Sequence, residues 1–297
     1  MQTDWFNSDD QTNFLNNTKR LKAMLYKGST RKKNQTMIFS HVPKTGGTSL
    51  ETILAKNFRL SEVLHINAAD LNRYPALLKL KKNPPKLICG HHPMHGLLYS
   101  LLDHQPIIHC TMLRHPVDRL LSFYNYILGK TDHPLHAASQ SLTLNDFLQQ
   151  QLTPELINGQ TKRFNGTLHD NNPDIHSSLD VAKQTLKECF SEVWVTEMFD
   201  QCLMQLQQQY GFADVFYQRQ NVSPKTITRQ ALPDDSLNLI CEMNTDDLAL
   251  YEWVEHKCQT TFSQGHTATE LAEFRNRLNQ WQALLNPEQA IELTSPG

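Results

Sequence analysis

No stretch of the 297-residue sequence comes near the roughly 20 consecutive apolar residues that a membrane-crossing helix needs. Residues 1–17 are polar, so the N-terminus has neither the apolar centre of a signal peptide nor that of an anchor. Excess charge of either sign is missing too. The 28 Lys and Arg against 30 Asp and Glu leave a net −2, which excludes the basic surplus of a general nucleic-acid binder. Cys89, Cys110, Cys189, Cys202, Cys241 and Cys258 show no close pairing, and two of them lie in apolar runs. That suits reduced, buried thiols better than a disulfide framework. Internal repeats and low-complexity tracts are also lacking. These absences predict a cytoplasmic protein with no membrane span and no nucleic-acid partner.

What is present is an ordinary globular composition, 39% hydrophobic and 20% charged, on a chain long enough for one large domain. Residues 1–34 read as a polar, peripheral leader closed by the basic run Arg31, Lys32 and Lys33, and residues 35–297 as the main domain. Compact apolar runs at 36–42, 86–90, 106–113 and 191–198 predict buried strands. Helices are expected at 48–57, at 116–128 (Pro116 in its first turn, Gly129 at its end) and at 199–210 before Gly211. After Leu232 the pattern is almost wholly helical, notably at 246–262 and 270–285. Strands alternating with helices imply an α/β fold, a mainly parallel sheet flanked by helices, with helical additions at both ends.

The most informative segment is FSHVPKTGGTSLE, residues 39–51. A strand runs into a tight glycine turn and a helix begins at once, which aims main-chain amides and the positive end of the helix dipole at one spot. Gly46 and Gly47 permit close approach of an anion; Thr45, Thr48 and Ser49 offer hydroxyls, and Lys44 a full charge. The nucleotide-triphosphatase pattern G-x-x-x-x-G-K-[ST] places its lysine after the glycines, whereas Lys44 precedes them.

The segment TMLRHPVDRLLSFYNY, residues 111–126, repeats the strand–turn–helix plan. Arg114 falls at the strand's C-terminal end, where ligands of open α/β sheets collect. Arg114 and Ser122 are placed to grip a second phosphate, the arginine bidentately. Arg119 shares a helix face with Ser122, and Leu120, Leu121, Tyr124 and Leu128 face the core.

Together the two segments resemble the 5′-phosphosulfate loop and the 3′-phosphate site of sulfotransferases that use 3′-phosphoadenosine-5′-phosphosulfate (PAPS). The likeness is greatest to the carbohydrate branch that holds heparan sulfate 2-O-sulfotransferases and their bacterial relatives. GHHP (90–93), NGQTKRFNG (158–166), VTEMFD (195–200), QNVSP (220–224) and DLALYEW (247–253) follow in agreeing order, so the resemblance spans about residues 36–262. It implies the P-loop-like sulfotransferase fold and sulfuryl transfer from PAPS to an acceptor hydroxyl, on a carbohydrate, leaving adenosine 3′,5′-bisphosphate. It puts Lys44, Thr45, Gly46, Gly47, Thr48 and Ser49 on the phosphosulfate, and Arg114 and Ser122 on the 3′-phosphate. Asn221, Ser223 and Lys225 fall where the family folds a loop over the donor. Golgi members carry a membrane anchor that this sequence lacks, which leaves the acceptor open.

Sulfuryl transfer needs a positioned donor, charge stabilisation on the leaving phosphate and a base for the acceptor hydroxyl. Lys44 suits the second task. For the base, GHHPMHG (90–96) follows a strand directly, and histidine accepts protons at neutral pH. The resemblance matches His91 to the family's base; His92, pointing the other way on an extended segment, is the alternative. His92 and His95 also have helix-face spacing for zinc, but no cysteine or carboxylate completes a set there, and the expectation is no metal. Glu197 reads as an ion-pair partner of the basic groups. Two rivals remain open. A kinase needs a magnesium-binding hydroxyl and an acidic partner at the phosphate loop; a non-catalytic nucleotide module has no use for Lys44 or for the His91/His92 pair.

Overall fold

The computed structural model describes residues 10–25, 35–66, 83–91, 102, 105–168, 178–218 and 227–285. Five strands form one sheet: β1 (Thr36–Ser40), β2 (Val63–His65), β3 (Leu87–Gly90), β4 (Ile107–Leu113) and β5 (Glu192–Val195). Their order is β2-β3-β1-β4-β5, and every pairing is parallel. All residues of β1, β3 and β4 are buried, as expected for strands covered on both faces. The chain leaves β1 toward β2 and leaves β4 toward β5, so the order reverses between β1 and β4. Open α/β sheets place ligands at such a switch point, outside the strands' C-terminal ends.

The described helices are α1 (Asp10–Met24), α2 (Gly47–Lys56), α3 (Pro116–Gly129), α4 (His136–Ser141), α5 (Leu144–Gln149), α6 (Gly159–Asn165), α7 (Leu179–Cys189), α8 (Phe199–Tyr210), α9 (Asp234–Met243), α10 (Thr245–Gly265) and α11 (Ala268–Leu285). Side chains alternate across the sheet, as the strand period of two requires. Ile38, Ile88 and Leu113 join α1, α7 and α10 in one core. Met37, Phe39 and Cys110 join α2, α8 and α11 in a second. A third core surrounds α3, with Phe147, Leu156 and Ile240 against it.

The strand expected at 191–198 stops at Val195, and Thr196–Met198 forms a 3₁₀ turn. Residues 41 and 42 likewise leave the sheet for the turn after β1. Residues 10–25 of the polar leader are integrated with the fold. Phe14, Leu21 and Met24 of α1 are buried, and Leu25 bridges to Ile107 beside β4. Among the described residues no helix is long and apolar enough to cross a membrane.

Candidate active site

The turn after β1 is built for a close main-chain approach. Lys44 has φ 69° and Gly46 has φ 76°, both left-handed, and Gly46 caps α2 without any side-chain bond to the first helical amides. Those amides remain for an anion at the positive end of the helix. A Cβ on Gly47 would lie 2.0 Å from Cδ2 of His41, so only glycine lets that ring tuck beneath the turn. Thr45 is fully buried and donates its hydroxyl to the Val42 carbonyl at 2.8 Å. Its side chain therefore braces the turn from within. Thr48 is exposed and Ser49 half-buried in the first turn of α2.

Arg114 leaves the end of β4 and donates from Nη1 to the Lys44 carbonyl at 3.2 Å, tying the two strand–helix turns together. The buried Gln160 brackets the Arg114 main chain, accepting from its amide at 3.0 Å and donating to its carbonyl at 2.9 Å. The Thr196 hydroxyl sits within hydrogen-bonding reach of both the Thr45 carbonyl (2.6 Å) and the Leu113 carbonyl (3.0 Å).

Lys44, Arg114 and Ser122 line one open cavity of ≈ 620 Å³, which Tyr126, Lys130 and Arg229 also border. The Lys44 ammonium rests 4.3 Å from the Tyr126 ring centroid, and burial, then the Arg114 charge, lowers its pKa. Ser122 and Tyr126 are four apart on α3, and Lys130 follows four residues later, just past the helix end, a spacing visible in the sequence. Arg229 had no such signal, since it reaches the wall through tertiary folding. Asn125 holds that wall by bonding both the amide and the carbonyl of Ile227, each at 3.0 Å. Asn221, Ser223 and Lys225 lie outside the described residues.

Arg119 does not line this cavity with Ser122. It is 1% exposed and pairs with Glu155 at 3.0 Å, and Arg163 joins the same carboxylate. Burial pushes the Glu155 pKa up, but the two guanidiniums outweigh it and the net shift is downward. Leu120, Leu121 and Tyr124 are buried, whereas Leu128 is only partly so.

At the end of β3, His91 donates from Nδ1 to the His41 carbonyl at 3.0 Å, which leaves Nε2 as the acceptor nitrogen. Its ring stacks on that of His41 with centroids 4.1 Å apart. Burial, then the neighbouring His41, lowers the His91 pKa. His41 in turn bonds Glu51 Oε1 through Nδ1 at 2.9 Å. Burial pushes the Glu51 pKa up, yet the His41 bond and the surrounding histidines leave it lowered. The other Glu51 oxygen faces His65 Nδ1 at 3.9 Å, and Cys89 Sγ lies 3.2 Å from the same nitrogen. Burial and the Glu51 charge push the Cys89 thiol up to about 12. His92 and His95 lie outside the described residues. Glu197 accepts from the His115 amide at 2.9 Å, and burial raises its pKa.

Compared with known proteins, residues 28–289 match the family model described as "Sulfotransferase family". The chain belongs to the sulfotransferase family. Among solved structures, this sulfotransferase is similar to the mouse sulfotransferase SULT7A1, which was crystallised with PAP. Identity is 13%, the TM-score is 0.38, and the match covers 82% of this chain and 71% of that one. No curated protein matches the chain significantly.

Proposed function

We propose that this sulfotransferase takes its sulfuryl group from PAPS and delivers it to a carbohydrate hydroxyl, with His91 as the base. The observation that carries this reading is the single cavity bordered by Lys44, Arg114 and Ser122, residues from two separate strand–helix turns. In this reading the amides of Gly46 through Ser49 and the Lys44 ammonium hold the 5′-phosphosulfate. Arg114 and Ser122 hold the 3′-phosphate, Arg229 and Lys130 add positive charge, and Asn221, Ser223 and Lys225 close over the donor.

His91 Nε2 removes the acceptor hydroxyl's proton as that oxygen attacks sulfur in line. The bond from sulfur to the bridging phosphate oxygen breaks, and Lys44 stabilises the charge gathering there. Adenosine 3′,5′-bisphosphate and a sulfate ester leave. In this scheme Lys44 and the amides stabilise the leaving phosphate, and no metal is assigned a role. The carbohydrate acceptor rests on the ordered resemblance of the flanking motifs, and a cytoplasmic location on the six free cysteines.

The test is calorimetry with adenosine 3′,5′-bisphosphate, adenosine 5′-phosphate, ADP and ATP, with and without Mg²⁺, followed by oligosaccharide acceptors with PAPS. Tight, Mg²⁺-independent binding that requires the 3′-phosphate supports the donor assignment. A preference for ATP with Mg²⁺ overturns it, and sulfation confined to non-sugar hydroxyls overturns the acceptor class.

A further inference from the structure

Behind the base lies a group of side chains that the transfer scheme does not use. We propose that Glu51, His65 and Cys89 form a binding site for a divalent transition-metal ion of the zinc class. One ligand atom from each lies within 4.8 Å of the others. The three come from adjoining elements: Glu51 from α2, and His65 and Cys89 from directly paired positions on β2 and β3. The sheet register fixes the last two, with Sγ and Nδ1 3.2 Å apart.

The donor set is one sulfur, one imidazole nitrogen and one carboxylate oxygen, which zinc accepts and which magnesium or calcium would not select. Glu51 has one oxygen committed to His41 at 2.9 Å and the other turned toward His65. A ligand carboxylate that is itself hydrogen-bonded is the usual outer support of a metal site. Cys89 closes the inner side, being fully buried, while the His65 side chain is 57% exposed and marks the entry path. Three protein ligands leave the fourth tetrahedral position to water. On binding, the Cys89 thiol loses its proton to solvent as the sulfur–metal bond forms. An ion here would lock Glu51 in the orientation that bonds His41, and through it the platform on which His91 stacks.

This site is distinct from the cavity of Lys44, Arg114 and Ser122, and its test does not depend on turnover. Zn²⁺ is titrated into the metal-free full chain against a chromogenic chelator, and Co²⁺ is added separately as a spectroscopic probe. The expected result is one Zn²⁺ per chain and a Co²⁺ spectrum with tetrahedral visible bands and a thiolate charge-transfer band. Cys89→Ser should remove the charge-transfer band, and His65→Ala should weaken Zn²⁺ at least roughly tenfold. Adenosine 3′,5′-bisphosphate affinity, unchanged in both variants, serves as the check that the fold is intact. Zn²⁺ binding that is absent, or that persists equally in both variants, overturns the site. Either result leaves the donor assignment untouched, because that is read from nucleotide binding alone.

Discussion

His91 donates from Nδ1 to the main-chain carbonyl of His41, 3.0 Å away, while the two imidazoles stack at 4.1 Å. One residue thus fixes both the tautomer and the ring plane of the other. A carbonyl can only accept, so the Nε2 lone pair of His91 is the one left free. The first prediction follows. His91→Ala abolishes turnover and keeps adenosine 3′,5′-bisphosphate affinity, measured by initial rates and calorimetry. Undiminished activity would move the base to His92.

The pH profile follows from the same neighbours. Burial and the adjacent His41 lower the His91 pKa, so the neutral base persists below the ordinary histidine range. Activity is therefore flat through neutral pH and falls only as pH drops through that lowered value. The kcat/KM profile of the free enzyme checks this, and an acid limb at or above about 6.5 contradicts it.

Arg114 and Ser122 should separate from Lys44 in their effects. Arg114→Ala removes a charge-assisted contact of about 1.5–3 kcal/mol, weakening adenosine 3′,5′-bisphosphate roughly 10- to 150-fold. It should scarcely alter adenosine 5′-phosphate. Lys44→Ala should lower kcat roughly 100-fold or more, because its charge is needed most as the bridging bond breaks. Equal losses for both nucleotides in Arg114→Ala would place that guanidinium elsewhere.

The packing of the phosphate turn is testable without substrate. Gly47→Ala drives a methyl to within 2.0 Å of the His41 ring and should cost about 1–3 kcal/mol of stability. The double variant with His41→Ala should lose much less than the sum of the two singles. Denaturant midpoints supply the readout, and strict additivity argues against the contact.

Beneath the site, Glu155 neutralises the buried Arg119 and the adjacent Arg163. Glu155→Gln leaves Arg119 charged without its partner and should cost about 3–5 kcal/mol. Because the Glu155 pKa is lowered on folding, its stabilisation is present above the unfolded-state value and is lost as pH falls through the folded one. Urea unfolding at neutral and acidic pH measures both effects.

The parts of this site legible in the sequence are those where local chemistry and tertiary position agree. The turn between β1 and α2 carries its own signals in Lys44, Gly46 and Gly47. Pro116 and Gly129 bracket α3 where the structure places that helix. The pairing of Ser40 with Thr111 brings the two turns together, which a parallel sheet with this reversal of order makes natural. Other features rest on contacts that local sequence does not encode. Arg119 reads as a helix-surface arginine until Glu155, from a distant 3₁₀ turn, meets it in the core. α1 reads as polar because Phe14, Leu21 and Met24 are diluted among Asn, Gln, Thr and Lys, although they are buried. Arg229 reaches the cavity through tertiary contacts, with Asn125 gripping Ile227 and with His115 and Asp118 beside its own guanidinium.

The Thr196 hydroxyl, lodged between the carbonyls of Thr45 and Leu113, works as a spacer. Each of those carbonyls precedes or ends a turn assigned to one anionic group of the donor, so the width between them is a molecular gauge. The gauge belongs to neither turn. It enters from just past the C-terminal end of β5, and a change at Thr196 would remove the hydroxyl that the two carbonyls share. If the two turns hold the donor's anionic groups as proposed, selectivity among nucleotides that differ only in where those groups sit would depend on a residue outside either turn.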